Sequence, residues 1–453
     1  MRRVLFRFHL VGLLAASVSY AQSVAQSTSS PSARYIVKDL GPVPGTGFSY
    51  APVISNSGLV SGWMSPPAGP RHAALWNGGV LIQDIGDQVP GAQGGRLSSE
   101  AFGVNDNGQV ALQAETLDPN PYGEDFCGFT VLLGSSPSCP YCSGSDTPHT
   151  CRAFRWRNGA LEQLPRLIDK YGVLGNNAAV NQMNNRGDVV GLAENTTPDP
   201  DCGSPQKFEF KPVIWKNGQI HELAIPGGDS EGFASGVNDN GQVVGWSGHC
   251  TSFDPIGQLY LTPVHALLWD AGGTLHILNL PDGSTAGAIN NRGQIVGTSG
   301  LNGFLWTQSG GAQPLYPLET DLLSFSIGLN DRGDVVGGSL DSSFIVLSAV
   351  LWENGAGTPM NLNDLVVDNP SGLYLQVAEG INSRGEISGF ASLSTDLAEI
   401  PHAFLAIPVN ATPTASTAGQ SVTRPAALNE NTRKLLQQRM RFGRFGARPL
   451  MPR

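Results

Sequence analysis

The sequence predicts an all-β fold, a seven-bladed β-propeller of four-stranded blades. Three observations predict it. A strand–turn–strand stretch recurs seven times down the 453-residue chain. A second apolar strand follows each turn, ending in Trp in six of the seven copies. The strand that the last repeat lacks stands at the front of the chain.

The first stretch is clearest at Gly236–Ser247, GVNDNGQVVGWS. Asn238-Asp239-Asn240-Gly241 is a turn, because Asn accepts a hydrogen bond from the backbone two residues on and Gly accepts positive φ. The pattern suits a short hairpin with a glycine bulge. Copies start at Val53, Gly103, Gln182, Gly236, Ala288, Gly328 and Gly380. Six have Asn at the turn start, at 105, 184, 238, 290, 330 and 382, and the first has Ser55. Every copy keeps the turn Gly, from Gly58 to Gly385, and six keep a second Gly four residues on; Leu112 is the exception.

The second unit reads HAALW at His72, RAFRW at Arg152, KPVIW at Lys211, HALLW at His265, NGFLW at Asn302, SAVLW at Ser348 and HAFLA at His402. Most copies then turn through Gly into a further strand, such as GQIHELAI after Trp215. Each repeat therefore offers four strands, A to D. The last stops at Val409 without a D strand, whereas Tyr35–Gly41, YIVKDLG, is a D-like strand that precedes every repeat. Pairing the two closes a ring. The alternative is an open β-solenoid, which has no use for that strand. Apolar strands such as HALLW suit blades buried on both faces. The Trp row reads as core.

These repeats resemble the extracellular HAF-repeat proteins, named for the tripeptide that stands here as His402-Ala403-Phe404. The resemblance covers most of residues 35–408. It implies a secreted bacterial protein and says little about activity.

In chain order, residues 1–21 read as a signal peptide, with Arg2, Arg3 and Arg7 ahead of a short apolar core and small residues at the cleavage site. Residues 22–34 read as a flexible Ser-rich linker, 35–408 as the propeller, and 409–453 as a basic, disordered tail with a short helical stretch at Leu428–Phe442. Secretion is the expected localisation, with no transmembrane segment. Gly 57 and Pro 32 fit many turns, and 14% charged residues leave much of the chain free to be buried. Between signal and tail the chain carries 16 basic and 36 acidic residues, a net of −20. Such a body repels nucleic acid, so no nucleic-acid partner is expected.

Tight A–B and C–D turns define one trimmed face. Long B–C and D–A connections decorate the other, where binding on a rigid scaffold is expected. That face carries the candidate ligand-binding residues Tyr122, Asp125, Phe126, Tyr141, Asp199, Asp201, Phe253 and Asp254, since aromatic faces beside carboxylates suit a sugar or a peptide. It also carries all six cysteines. Cys202 and Cys250 would join adjacent blades, and Cys127, Cys139, Cys142 and Cys151 would staple the largest insertion in a pattern left open.

The lone Cys139-Pro140-Tyr141-Cys142 motif has no second CxxC, so no metal is expected, and no cofactor. His72, His265 and His402 occupy equivalent positions with no apparent partner and read as structural. The NDNG and NDRG turns lack the spaced acids of a calcium loop. No catalytic motif is present. The expectation is a monomeric, secreted, non-enzymatic binding scaffold for a glycan or an extracellular protein. The alternative is a secreted carbohydrate-active hydrolase or lyase using loop carboxylates.

Overall fold

The computed structural model describes residues 34–41, 48–65, 70–92, 97–124, 126–127, 148–202, 207–251, 260–342, 346–393 and 402–409. The signal peptide, nearly all of the linker and the tail from 410 lie outside them. Seven antiparallel sheets form the blades of a β-propeller, and no α-helix occurs among the described residues. Six blades have four strands in the order A-B-C-D: blade 1 spans 48–84, blade 2 99–163, blade 3 178–222, blade 4 231–277, blade 5 285–315 and blade 6 321–361.

Blade 7 takes strands A to C from 373–409 and its fourth strand from Arg34–Asp39. Arg34 pairs with Val409 and Asp39 with Phe404, antiparallel, so the two ends of the described chain share one sheet. A short parallel strand, Val366–Asp368, adds a fifth. Tyr35 and Val37 are buried by this pairing. Each buried apolar side chain contributes about 1.5–3 kcal/mol.

Every A strand carries a β-bulge, for example between Ala234 and Gly236, and between Ala378 and Gly380. The bulge explains the second glycine of the repeat. A Cβ on Gly245 would lie 1.9 Å from the Phe233 carbonyl oxygen, and one on Gly389 2.0 Å from that of Val377. The turn glycines are equally constrained, with φ of 85° at Gly241 and 97° at Gly333.

Four of the six Trp of the row are buried, and Trp156 and Trp306 are half-buried. Trp269 and Trp352 are fully buried, and Trp215 and Trp76 nearly so. Trp215, Trp269 and Trp352 donate their indole N–H to the carbonyls of Pro165, Ala224 and Tyr316, each on the connection entering the blade. One loop departs from the expected asymmetry: blade 5 joins strands B and C through Gly300 and Leu301 alone. Decoration is therefore concentrated on particular blades rather than spread evenly.

Candidate functional site

The trimmed face is built from the repeated turns. In each Asn-led turn the Asn carboxamide oxygen caps the chain, as Asn238 Oδ1 accepts the N–H groups of Asn240 at 3.1 Å and Gln242 at 2.9 Å. Its amide then donates across the seam to the carbonyl of the same position in the next blade. Asn105 bonds Asn184, Asn184 bonds Asn238, Asn238 bonds Asn290, Asn290 bonds Asn330, Asn330 bonds Asn382, and Asn382 bonds Ser55, at 2.9 to 3.1 Å. Ser55 has no amide to pass on.

A second tier runs alongside. The backbone N–H of Asn185 reaches Asp239 Oδ1, that of Asp239 reaches Asn291 Oδ1, and that of Asn291 reaches Asp331 Oδ1, all at 2.8 Å. The axial mouth inside this girdle is a cavity of about 140 Å³, lined by Asp106, Asp239 and Asp331 alternating with Asn185 and Asn291 over Val, Ile, Leu and Met. Most polar groups of this rim are engaged between blades. Sequence reasoning read these turns only as turns. The signal in the sequence is Asn where Ser would cap as well: the carboxamide holds its acceptor and its N–H donors on separate atoms, so it can cap with one and reach the next blade with the other.

On the long-loop face the structure pairs Cys127 with Cys151, Cα atoms 5.4 Å apart, and Cys202 with Cys250 at 4.9 Å. The first ties the insertion of blade 2 to its own C strand, and the second joins blades 3 and 4. Tyr122 is 40% exposed, its ring edge-on to Phe208 at 5.1 Å, with Lys207 Nζ 4.7 Å above it. Asp201 is exposed. Two expected ligand residues face inward instead. Phe126 is buried edge-on to Phe210 among the four described cysteines, where it fills the loops' own small core. Asp199 is buried and accepts the Asp201 N–H at 2.8 Å, holding a turn. Asp125, Tyr141, Phe253, Asp254, Cys139 and Cys142 lie outside the described residues.

Beneath these loops lies a layer of carboxyl groups: Glu100, Glu124, Glu194 and Glu231 are each 0–1% exposed. Asn177 donates to Glu124 Oε2 at 3.0 Å and to Glu194 Oε2 at 2.7 Å, so one amide binds two acids. Burial raises the Glu124 pKa above its ordinary value, against the pull of hydrogen bonds from Asn120 and Lys207. Burial also pushes Glu231 up to about 10, helped by its hydrogen bond with Asp199. Glu100 pairs with Arg71, whose guanidinium sits 4.9 Å over Trp63.

The three equivalent histidines do have partners. His72 Nδ1 meets Asp84 at 3.0 Å, His402 meets Asp39 at 3.1 Å, and His265 meets Asp229 at 2.9 Å. The first two join the start of strand C to the end of strand D. Their signal was the shared Asp of VLIQDIG and YIVKDLG. The Asp84 hydrogen bond outweighs burial and raises the His72 pKa above 6.5.

The fold and its stapled face define the class: a closed seven-bladed β-propeller. No family model and no curated protein matches the chain. Solved structures similar to it include the virginiamycin B lyase of Staphylococcus aureus, 10% identical with a TM-score of 0.42, matching 83% of this chain and 100% of that one. A puromycin-hydrolysing peptidase of Mycobacterium tuberculosis is 12% identical with a TM-score of 0.44, over 88% of this chain and 58% of that one. A gluconolactonase of Xanthomonas campestris is 8% identical with a TM-score of 0.32, over 83% and 90%. At these identities the likeness concerns the fold.

Proposed function

We propose that this chain is an exported, HAF-repeat-like propeller that acts as a non-enzymatic binding scaffold, with its ligand, a glycan or an extracellular protein, on the long-loop face of blades 2 to 4. One observation carries the reading. The trimmed rim engages its polar groups in holding blades together, whereas the opposite face holds both described disulfides and presents Tyr122, Lys207 and Asp201 outward. Leu117 at 64%, Ile168 at 58% and Tyr171 at 79% exposure stand on the same side of blade 2 and of its connection to blade 3. Exposed aromatic and apolar groups with charged neighbours, on a covalently stiffened surface, suit reversible recognition. Export is supported by the two disulfides and by the basic-then-apolar start of the chain.

The hydrolase or lyase reading would need accessible acids. Glu100, Glu124, Glu194 and Glu231 on this face are buried beneath the loops, and of the expected loop acids Asp201 alone is exposed among the described residues, which weighs against a catalytic pair. The test is a glycan array and a panel of extracellular proteins, each followed by a product screen on whatever binds. Reversible binding is expected, weakened about tenfold or more by Tyr122→Ala, a loss of ~1.4 kcal/mol. Steady release of product from a bound glycan would overturn the scaffold reading.

A further inference from the structure

The Cys202–Cys250 bridge stands in surroundings that a disulfide does not require. Asp199 and Cys202 come from the B–C loop of blade 3, Glu231 opens strand A of blade 4, and Cys250 lies near the end of its strand B. Each offers one ligand atom, all four atoms lie within 4.8 Å of one another, and all four residues are buried. Each carboxyl group accepts a backbone N–H through one oxygen. Asp199 Oδ1 accepts the Asp201 N–H, and Glu231 Oε2 accepts the Phe210 N–H at 2.8 Å. The second oxygens turn inward. Asp199 Oδ2, in a residue only 5% exposed, has no partner apart from the Glu231 carboxyl. Glu231 Oε1 lies 3.6 Å from Cys202 Sγ.

A disulfide is complete in itself and gains nothing from two buried carboxyl groups, whose desolvation is costly. A metal ion accounts for them. Carboxylates fixed through one oxygen by backbone N–H groups are the arrangement that orients metal ligands. Metal–sulfur bonds of about 2.3 Å and metal–oxygen bonds of about 2.0–2.2 Å set tetrahedral ligand atoms roughly 3.3–3.8 Å apart, so the carboxyl oxygens draw in while the two sulfurs, bonded to each other in the disulfide, separate.

We propose that Asp199, Cys202, Glu231 and Cys250 form a tetrahedral S₂O₂ site for a zinc-type divalent ion when a dithiol opens the Cys202–Cys250 bridge. The dithiol breaks the S–S bond, becomes a disulfide itself, and passes two electrons and two protons to the Sγ atoms. The ion displaces both thiol protons and the proton shared by the acid pair. The seam between blades 3 and 4 is thus closed either by a covalent bond or by a metal, according to redox state.

The test uses the full chain carrying Cys139→Ser and Cys142→Ser, so that the separate CxxC does not compete. It is reduced with a dithiol, desalted without air and titrated with Co²⁺ and Zn²⁺. The expected result is one equivalent bound with thiolate-to-cobalt charge-transfer absorption, at least tenfold weaker in Asp199→Asn/Glu231→Gln and absent in Cys202→Ser/Cys250→Ser. Alkylation read by mass spectrometry keeps the test valid if a variant folds poorly. Zn²⁺ should slow modification of Cys202 and Cys250 at least tenfold relative to Cys127 and Cys151. Absence of the cobalt band, or equal protection of all four cysteines, or unchanged affinity without the carboxylates, would overturn the proposal.

Discussion

Glu124 shows how single residues shape the long-loop face. Its Oε2 accepts from Asn120 and Asn177, its Oε1 accepts the Lys207 N–H, and it is 1% exposed. Its neighbour on the shared amide is Glu194, a second buried acid, and burial dominates the upward shift of its pKa from 4.5. A carboxyl group with a raised pKa in the folded chain keeps its proton where the unfolded chain has lost it. The folded state then binds more protons, so stability falls as pH rises from 4.5 upward through the folded value. Glu124→Gln keeps the shape of the protonated acid and should flatten that decline. Urea midpoints from about pH 5 to about pH 9 decide it, and equal slopes for parent and variant would contradict it. The residue types on this face were visible in the sequence, but their burial was not. Phe126 reads as an exposed loop aromatic until Phe210, from another blade, is set against it.

Among the elements, the strand Arg34–Asp39 contributes most to closure. It completes blade 7 and lies between the strands His402–Val409 and Val366–Asp368. Removing residues up to Gly41 leaves two edges unpaired and exposes what Tyr35, Val37 and Leu40 cover. The expected outcome is loss of several kcal/mol of stability together with self-association through the open edges. Size-exclusion chromatography with light scattering should show species larger than the parent, and a synthetic peptide of residues 33–41 added during refolding should restore the parent's mass. A truncated chain of the parent's oligomeric state and equal stability would contradict this. The strand was legible in the sequence because YIVKDLG repeats the D-strand pattern of VLIQDIG. The A-strand bulges were not, since they follow from how strands A and B meet. Only their footprint, the second glycine, appeared in the sequence.

Over the whole molecule the girdle of asparagines makes seven sheets behave as one body. Asn238→Ser retains a capping oxygen but loses the amide bonded to the Asn290 carbonyl, so it should cost about 1 kcal/mol. Ser55→Asn supplies the amide donor that the first repeat lacks and should raise stability by about the same amount. Denaturant midpoints check both, and an Asn238→Ser chain as stable as the parent would count against the girdle. The seven copies and their order were enough to read the propeller from the sequence. The partners of its candidate site were harder to read, because the groups that meet on the long-loop face lie on separate blades and meet only after the ring forms.

The shared sheet of blade 7 also has a bearing on how the protein comes into being. Its first-made β-segment must wait, unmatched, until the last-made one arrives, because Arg34 has its mate at Val409. Sequence-distant pairing of this kind slows folding and prolongs the life of sticky intermediates. The nascent chain therefore stays vulnerable for as long as synthesis lasts, and a ribosome that stalls anywhere before the final repeat releases a molecule with no way to finish.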